Sequence, residues 1–250
     1  MPDAPVQGTV AVIGASRGIG AAVALELARR GVSVACLTRA GRGVEALPVP
    51  PELAGRLRDH ACDVTDEASL RRALAAAAEP GGLRGLVNSA GFHRGAPSAS
   101  LPAGDLREML ETNVTGLFVA CREAYPHLKA HGAGLIVNLG SFFDHLGVAR
   151  NLAYAVSKSA VGAITRCLAV EWAADGIAVV NVAPGYVETD LNREFLARES
   201  VRAYLLPRIP AGRVGQPEEV ARLVAALYTE RLHFMTGATL YMDGGQGIAH

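Results

Sequence analysis

An excess of charge of either sign is missing from this chain of 250 residues, where 24 Lys and Arg stand against 24 Asp and Glu. A protein that grips nucleic acid or an anionic membrane by electrostatics carries a basic surplus, so neither partner is expected. Cysteine is scarce as well. Cys36, Cys62, Cys121 and Cys167 lie far apart, with no C-x-x-C pair and no His/Cys grouping at metal-ligand spacing. That argues against a metal site and against a disulfide framework, and reads as buried thiols in a reducing compartment. No apolar run reaches the roughly 18 residues of a membrane span. The opening MPDAPVQG shows no basic, apolar and cleavage-site succession, so a cytoplasmic location is expected.

What the chain does have is apolar residues, half of the total, in short runs that alternate with Ala/Leu-rich stretches. Strands are predicted at 9–14, 32–37, a third ending in HACDV (60–64), 83–91, 134–141, 176–185 and 238–245. Helices are predicted at 21–30, 66–78, roughly 105–131, from about 153 to 174, and 217–228. Near-continuous apolar strands between helices mean a parallel sheet covered on both faces. The expected fold is α/β: one doubly wound, Rossmann-type domain over 1–250 with about seven strands. The stretch from about 186 to 216 reads as long and irregular, the kind of segment that serves as a lid.

Between the first strand and the first helix lies Gly14-x-x-x-Gly18-x-Gly20. Glycines there permit a tight turn and close approach of a pyrophosphate to a helix N-terminus. The spacing departs from G-x-G-x-x-G, but its place after a strand and before a helix is the context a dinucleotide site requires. Ligands in such folds sit beyond the carboxyl ends of the strands. Thr38-Arg39, Asp63-Val64, Asn88-Ser89-Ala90-Gly91, Ser141 and Pro184-Gly185 fall there. Further on, Tyr154 and Lys158 stand four residues apart among small side chains, and so share one helix face. A free phenol has a pKa of about 10; a nearby ammonium is expected to bring it toward the range of general acid–base catalysis.

The ordered set of Gly14-x-x-x-Gly18-x-Gly20, NSAG at 88–91, Asn113, Ser141, Tyr154-x-x-x-Lys158, PG at 184–185 with Thr189, and TGATLYMDGG at 236–245 resembles the short-chain dehydrogenase/reductases over nearly the whole chain. Ile13, Ser89 and Gly140 depart from residues frequent in that family. The resemblance implies that Tyr154 is the general acid in carbonyl reduction and the base in alcohol oxidation, and that Lys158 lowers its pKa and binds ribose. Ser141 would donate to the substrate oxygen, and Asn113 would hold a water leading from Lys158 to solvent. It further implies cofactor contacts at Gly14, Ser16, Arg17, Gly18, Ile19 and Gly20, then at Thr38 and Arg39. Asp63 and Val64 would flank the adenine, with Asn88, Ala90 and Gly91 beside them. Tyr154, Lys158, Pro184, Gly185, Val187 and Thr189 would border the nicotinamide and its ribose.

The expected function is NAD(P)-dependent hydride transfer between nicotinamide and a small-molecule ketone or secondary alcohol. GRVGQPEEVA and TGATLYMDGG also look like 3-oxoacyl-carrier-protein reductases. Lys129 would suit an acidic carrier, whereas Val170-Glu171 would not. A catalytically silent nucleotide-binding protein is the rival of another class, against which all four catalytic groups are present. NADP(H) is expected over NAD(H), because Thr38 replaces the acidic residue of NAD-preferring members while Arg39 and Arg17 can meet a 2′-phosphate. Phe92, His93, Arg94, Phe142, Phe143, His145 and Tyr186 are candidates to line a substrate pocket. The resemblance implies a homotetramer, with Leu117, Val119, Ala160, Ile164 and Leu168 as surplus apolar surface.

Overall fold

The computed structural model describes residues 8–190, 192–230 and 232–249. The first seven residues, read above for a leader, and Leu191 of the 186–216 stretch lie outside the described residues. Seven strands, β1 (Thr9–Ile13), β2 (Ser33–Thr38), β3 (Leu57–Ala61), β4 (Leu83–Asn88), β5 (Gly134–Leu139), β6 (Ile177–Pro184) and β7 (Thr239–Met242), form one sheet in the order 3-2-1-4-5-6-7. Every neighbouring pair is parallel.

Alternate residues of each strand feed opposite cores, as the period of two demands. Val10, Val12, Val34, Val137 and Val180 pack on one face with α1 (Gly18–Arg29) and α9 (Pro217–Thr229). Ala11, Ile13, Leu37, Ile136 and Val179 pack on the other with α3 (Glu67–Ala77), α5 (Gly116–His131) and α6 (Leu152–Trp172). Tyr228 pins α9 to the middle of the sheet. Its buried hydroxyl donates to the carbonyls of Leu86 (2.9 Å) and Leu135 (3.1 Å). Its ring occupies the space over Gly85, where a Cβ would come within 2.3 Å of it.

Several boundaries differ from the sequence reading, each for a local reason. Helix α1 begins at Gly18, three residues early, because glycines with poor intrinsic helix propensity form its first turn. Strand β3 stops at Ala61, since Asp63 turns the chain by accepting from both the N–H and the hydroxyl of Thr65. Asp66 then caps α3 by accepting from the Ala68 N–H at 2.9 Å. A single helical turn, α2 (Pro51–Ala54), was not expected. The long helix at 105–131 is α4 (Ala103–Leu110), a π-helical turn over Glu111–Thr115, and α5. The segment read as irregular carries two short helices, α7 (Arg193–Ala197) and α8 (Glu199–Leu205). Neither has a side-chain N-cap, so neither announces itself in the sequence.

The strand order reverses between β1 and β4: the chain runs outward to β3, then returns to the far side of β1. Such a switch point opens a crevice at the carboxyl ends of the two strands. No helix among the described residues is long and apolar enough to cross a membrane, and no group of three or more His, Cys, Asp or Glu among them is arranged to hold a metal.

Candidate active site

Gly14, at φ +83°, leaves β1 in the left-handed region that disfavours other residues. A Cβ on it would lie 2.7 Å from the Ala90 nitrogen, so the turn after β1 and the loop after β4 are in contact. A Cβ on Gly20 would lie 2.2 Å from the Gly14 carbonyl oxygen, which brings α1 hard against the turn. Arg17 is the N-cap of α1 and offers no side-chain cap; no acidic residue stands in the first turn, which includes Ile19. The N–H groups of that turn therefore face the crevice with their positive end uncompensated. The Ser16 carbonyl is held by the N–H groups of Glu45 (2.9 Å) and Ala46 (3.0 Å), which drapes the loop after β2 over the turn.

Across the crevice, β6 ends at Pro184. Gly185 donates to the Met242 carbonyl at 3.0 Å and packs so closely on Asp243 that a Cβ would come within 2.7 Å of its Cα. Val187 is buried and bridges to Gly215. Thr189 is held by Asn192 Oδ1, and its methyl lies 3.5 Å from where a Gly18 Cβ would stand. The glycine turn and the 184–189 segment thus face each other over a narrow gap.

At the end of β2, Thr38 is buried and its hydroxyl accepts from the Arg42 N–H at 3.3 Å. Arg39 and Arg17 form no ion pair among the described residues, and the Arg39 charge helps to hold the Asp63 carboxyl below its usual range, after the larger effect of the Thr65 hydrogen bonds. Val64 packs against Gly116, whose missing Cβ would sit 2.6 Å from the Val64 carbonyl oxygen. Gly91 stands beside Asn113 in the same way, at 3.0 Å from its Oδ1.

Asn113, Ser141, Tyr154 and Lys158, the four residues expected to be catalytic, converge at the head of α6. Ser141, buried just past the end of β5, accepts the Phe143 N–H at its Oγ (3.3 Å) and lies near enough to Tyr154 to favour the phenolate form. Lys158, one turn further, is buried and gives its ammonium hydrogen bond to the Leu139 carbonyl at 2.7 Å. Its Nζ lies 5.6 Å from the centre of the Tyr154 ring. Asn113 sits in the π-helical turn, a distortion frequent at functional sites. Its amide clasps Phe92 by N–H (3.0 Å) and carbonyl (2.9 Å) and donates to Ser157 Oγ at 3.2 Å. Ser157 in turn donates to the Tyr154 carbonyl at 2.8 Å.

The electrostatics run against one expectation. Burial pushes the Tyr154 phenol up to about 12, only partly opposed by the Ser141 hydrogen bond. Burial also pushes the Lys158 ammonium down to about 8. Desolvation is the larger influence on the phenol, and the Lys158 ammonium hydrogen-bonds the Leu139 backbone carbonyl. Tyr154 stands here as a protonated acid.

The aromatic candidates divide. His93 meets the Tyr154 ring edge-on at 5.0 Å and Phe143 meets it at 5.7 Å, while Tyr186 packs on Phe142 and Phe143. His145 instead turns to Asp144 (2.8 Å) and Tyr241, and Arg94 pairs with Glu108 (2.8 Å) and Asp105 (3.3 Å) while lying over the Phe92 ring. A separate cleft of about 640 Å³ lined by Glu188, Arg202, Arg213, Glu219 and Arg222 includes none of the catalytic set.

One feature of the site was missed in the sequence. Asn88 directs its amide into the sheet, to Asn138 Oδ1 (2.9 Å) and Cys121 Sγ, and Asn138 continues to Thr165 Oγ1 (3.0 Å). Asn181 stands in register beside Asn138, and a Cβ on Gly140 would come within 2.4 Å of its Oδ1. That contact explains why glycine rather than serine precedes Ser141. The signal was available: Val-Asn ends Val87-Asn88, Val137-Asn138 and Val180-Asn181 on three successive strands.

The chain is similar to known proteins along nearly all of its length. A family profile described as enoyl-(acyl carrier protein) reductase matches residues 14–246. The chain is 38% identical to a cis-4-hydroxycyclohexanecarboxylate dehydrogenase of Sinomonas cyclohexanicum, covering 98% of both chains. It is 34% identical to a 3-oxoacyl-[acyl-carrier-protein] reductase of Vibrio cholerae, covering 96% of this chain and 98% of that one. The crystal structure of a gluconate 5-dehydrogenase from Burkholderia cenocepacia J2315, in complex with NADP and tartrate, superimposes with a TM-score of 0.87 at 30% identity, covering 97% and 96%. A parallel sheet crossed at this switch point, and likeness of this extent to dehydrogenases and reductases, make the chain a member of the short-chain dehydrogenase/reductase family of NAD(P)-using oxidoreductases.

Proposed function

We propose that the chain transfers hydride reversibly between a nicotinamide dinucleotide and a ketone or secondary alcohol, with Tyr154 as the proton donor and acceptor. The observation that carries this reading is Tyr154 with buried Lys158 one turn behind it, its Nζ 5.6 Å from the Tyr154 ring, and Ser141 beside them. The dinucleotide, when bound, supplies or receives the hydride. The chain's own residues do the rest. Tyr154 delivers its phenolic proton to the carbonyl oxygen, Ser141 donates a second hydrogen bond to the same oxygen, and Lys158 holds positive charge near the phenolate left behind. Gly14, Ser16, Arg17, Gly18, Ile19 and Gly20 would hold the pyrophosphate, and Pro184 to Thr189 the nicotinamide half. The chain acts as one domain, with 186–216 as the lid over substrate.

Reduction of carrier-bound 3-oxoacyl groups is the second reading, favoured by the Vibrio cholerae relative. The surface it would need is weak: Lys129 is paired with Asp175 at 2.9 Å, and Val170 beside Glu171 is 81% exposed. A small substrate fits better.

NADP(H) is the cofactor this site favours. Thr38 offers no carboxylate, and Arg39 and Arg17 form no ion pair among the described residues and would face the adenosine end. The gluconate 5-dehydrogenase in complex with NADP points the same way. We also read the protein as a homotetramer, on different residues from those expected. Leu117, Val119 and Leu168 are buried in the chain's own core, whereas Phe118, Leu152, Val156, Val170 and Phe234 are exposed. Exposed apolar surface of that extent marks an interface.

Three measurements test these points. Tyr154→Phe, which removes the proton and little volume, should lower kcat at least about 100-fold while cofactor affinity stays within a few-fold; a variant with most of its activity left would refute the mechanism. Wild-type kcat/KM should favour NADPH over NADH by roughly 10- to 150-fold, as one charged hydrogen bond allows. Thr38→Asp with Arg39→Ala should reverse that preference, and a wild type at least as efficient with NADH would contradict it. Light scattering at micromolar concentration should return four times the 26.0 kDa chain mass; monomer mass would rule the assembly out.

A further inference from the structure

The loop after β4 and the loop before α6 are clamped together at the mouth of the site. Arg150 is the only non-glycine residue among the described ones held at positive φ, at +67°. Its carbonyl accepts from the Ala96 N–H at 2.9 Å. Strain of this kind persists only where the surroundings enforce it, and it collects at functional sites. The next residue, Asn151, donates its Nδ2 to the Ala149 carbonyl at 2.8 Å, which leaves Oδ1 as the atom facing His93. An amide oxygen only accepts, so the His93 atom bonded to it, Nε2, carries the hydrogen. A neutral imidazole with hydrogen on Nε2 has a bare lone pair on Nδ1. That Nδ1 has no hydrogen-bond partner among the described residues, and its ring is exposed and edge-on to Tyr154 at 5.0 Å.

Phe143 also meets the Tyr154 ring edge-on, with Tyr186 packed against Phe143. The proton donor is therefore bordered by apolar rings and by the His93 imidazole with its free acceptor. We infer that His93 is a specificity residue whose Nδ1 accepts a hydrogen bond from a second hydroxyl of the substrate, so that the preferred substrates are hydroxyketones and the matching diols. A carboxylate in that position would meet a lone pair, and an unsubstituted ketone would leave it without a partner. The inference rests on the ketone–alcohol reading of the site and narrows it.

The test compares matched pairs with the holoenzyme: acetoin against 2-butanone, hydroxyacetone against acetone, and 2-hydroxycyclohexanone against cyclohexanone. In wild type, kcat/KM should favour the hydroxyketone of each pair by about tenfold, the discrimination one neutral hydrogen bond supports. In His93→Phe, which keeps an aromatic edge but has no acceptor, that ratio should fall to about one, chiefly through KM. In His93→Asn, whose Oδ1 reaches the place of Nδ1, much of the ratio should return. Equal efficiency within the wild-type pairs, a preference for keto acids, or an unchanged ratio in His93→Phe overturns the inference while leaving the oxidoreductase reading intact. Absence of turnover across the whole panel overturns both.

Discussion

Taking a phenol and an ammonium out of water one helical turn apart is unfavourable, and a large part of this structure supplies what offsets it. Lys158 is buried yet keeps a carbonyl partner at 2.7 Å, provided by Leu139 at the end of β5. Tyr154 is half-buried, with Ser141 beside it. Leu139 ends β5 and Lys158 sits on α6, so the two elements must keep their relative position for the ammonium to be satisfied. An unpaired ammonium there would cost several kcal/mol. The register of the sheet is thus tied to the state of the catalytic pair.

The same logic of close approach runs across the molecule. Gly14, Gly20 and Gly116 each stand where a Cβ would strike backbone, and together they draw α1, the β4 loop and α5 onto the strand ends. Inside the sheet, Asn88, Asn138 and Thr165 satisfy one another in a buried chain that links three elements at the height of the active site. Buried polar networks of this sort favour one arrangement over near alternatives when all their members are bonded. Asn113 extends the principle outward: one buried amide fixes the backbone of Phe92 and, through Ser157, the start of α6. The pocket wall at His93 begins at the residue after that anchor.

Much of this was legible in the sequence because it depends on spacing. Alternating apolar runs gave the parallel sheet, and the glycine turn was placed by its strand and helix neighbours. Tyr154 and Lys158 were found by a four-residue interval. What was not legible depends on contacts between residues far apart. The upward direction of the Tyr154 shift turns on burial, and the partner of Lys158 is a carbonyl nineteen positions before it, neither of which the tetrapeptide shows. Leu117, Val119 and Leu168 looked like surplus apolar surface until the packing of α5 and α6 on the sheet consumed them. The π-helical turn at Asn113 leaves no mark on residue composition, and α7 and α8 are too short to show a period. The imidazole of His93 looked solitary; only the fold brings it to Asn151 and Tyr154.

The central claim is that the proton comes from a half-buried phenol supported by a buried ammonium, and the pH dependence of single-turnover ketone reduction tests it most directly. A phenol at about 12 is protonated throughout the accessible range, and an ammonium at about 8 is charged below that pH and neutral above it. The rate should therefore stay level from acid to about pH 8 and fall above it, and Lys158→Met should remove that fall along with much of the rate. A rate that instead declines through pH 6 to 7, as a histidine donor would require, or an alkaline limb unaffected by Lys158→Met, would contradict the account.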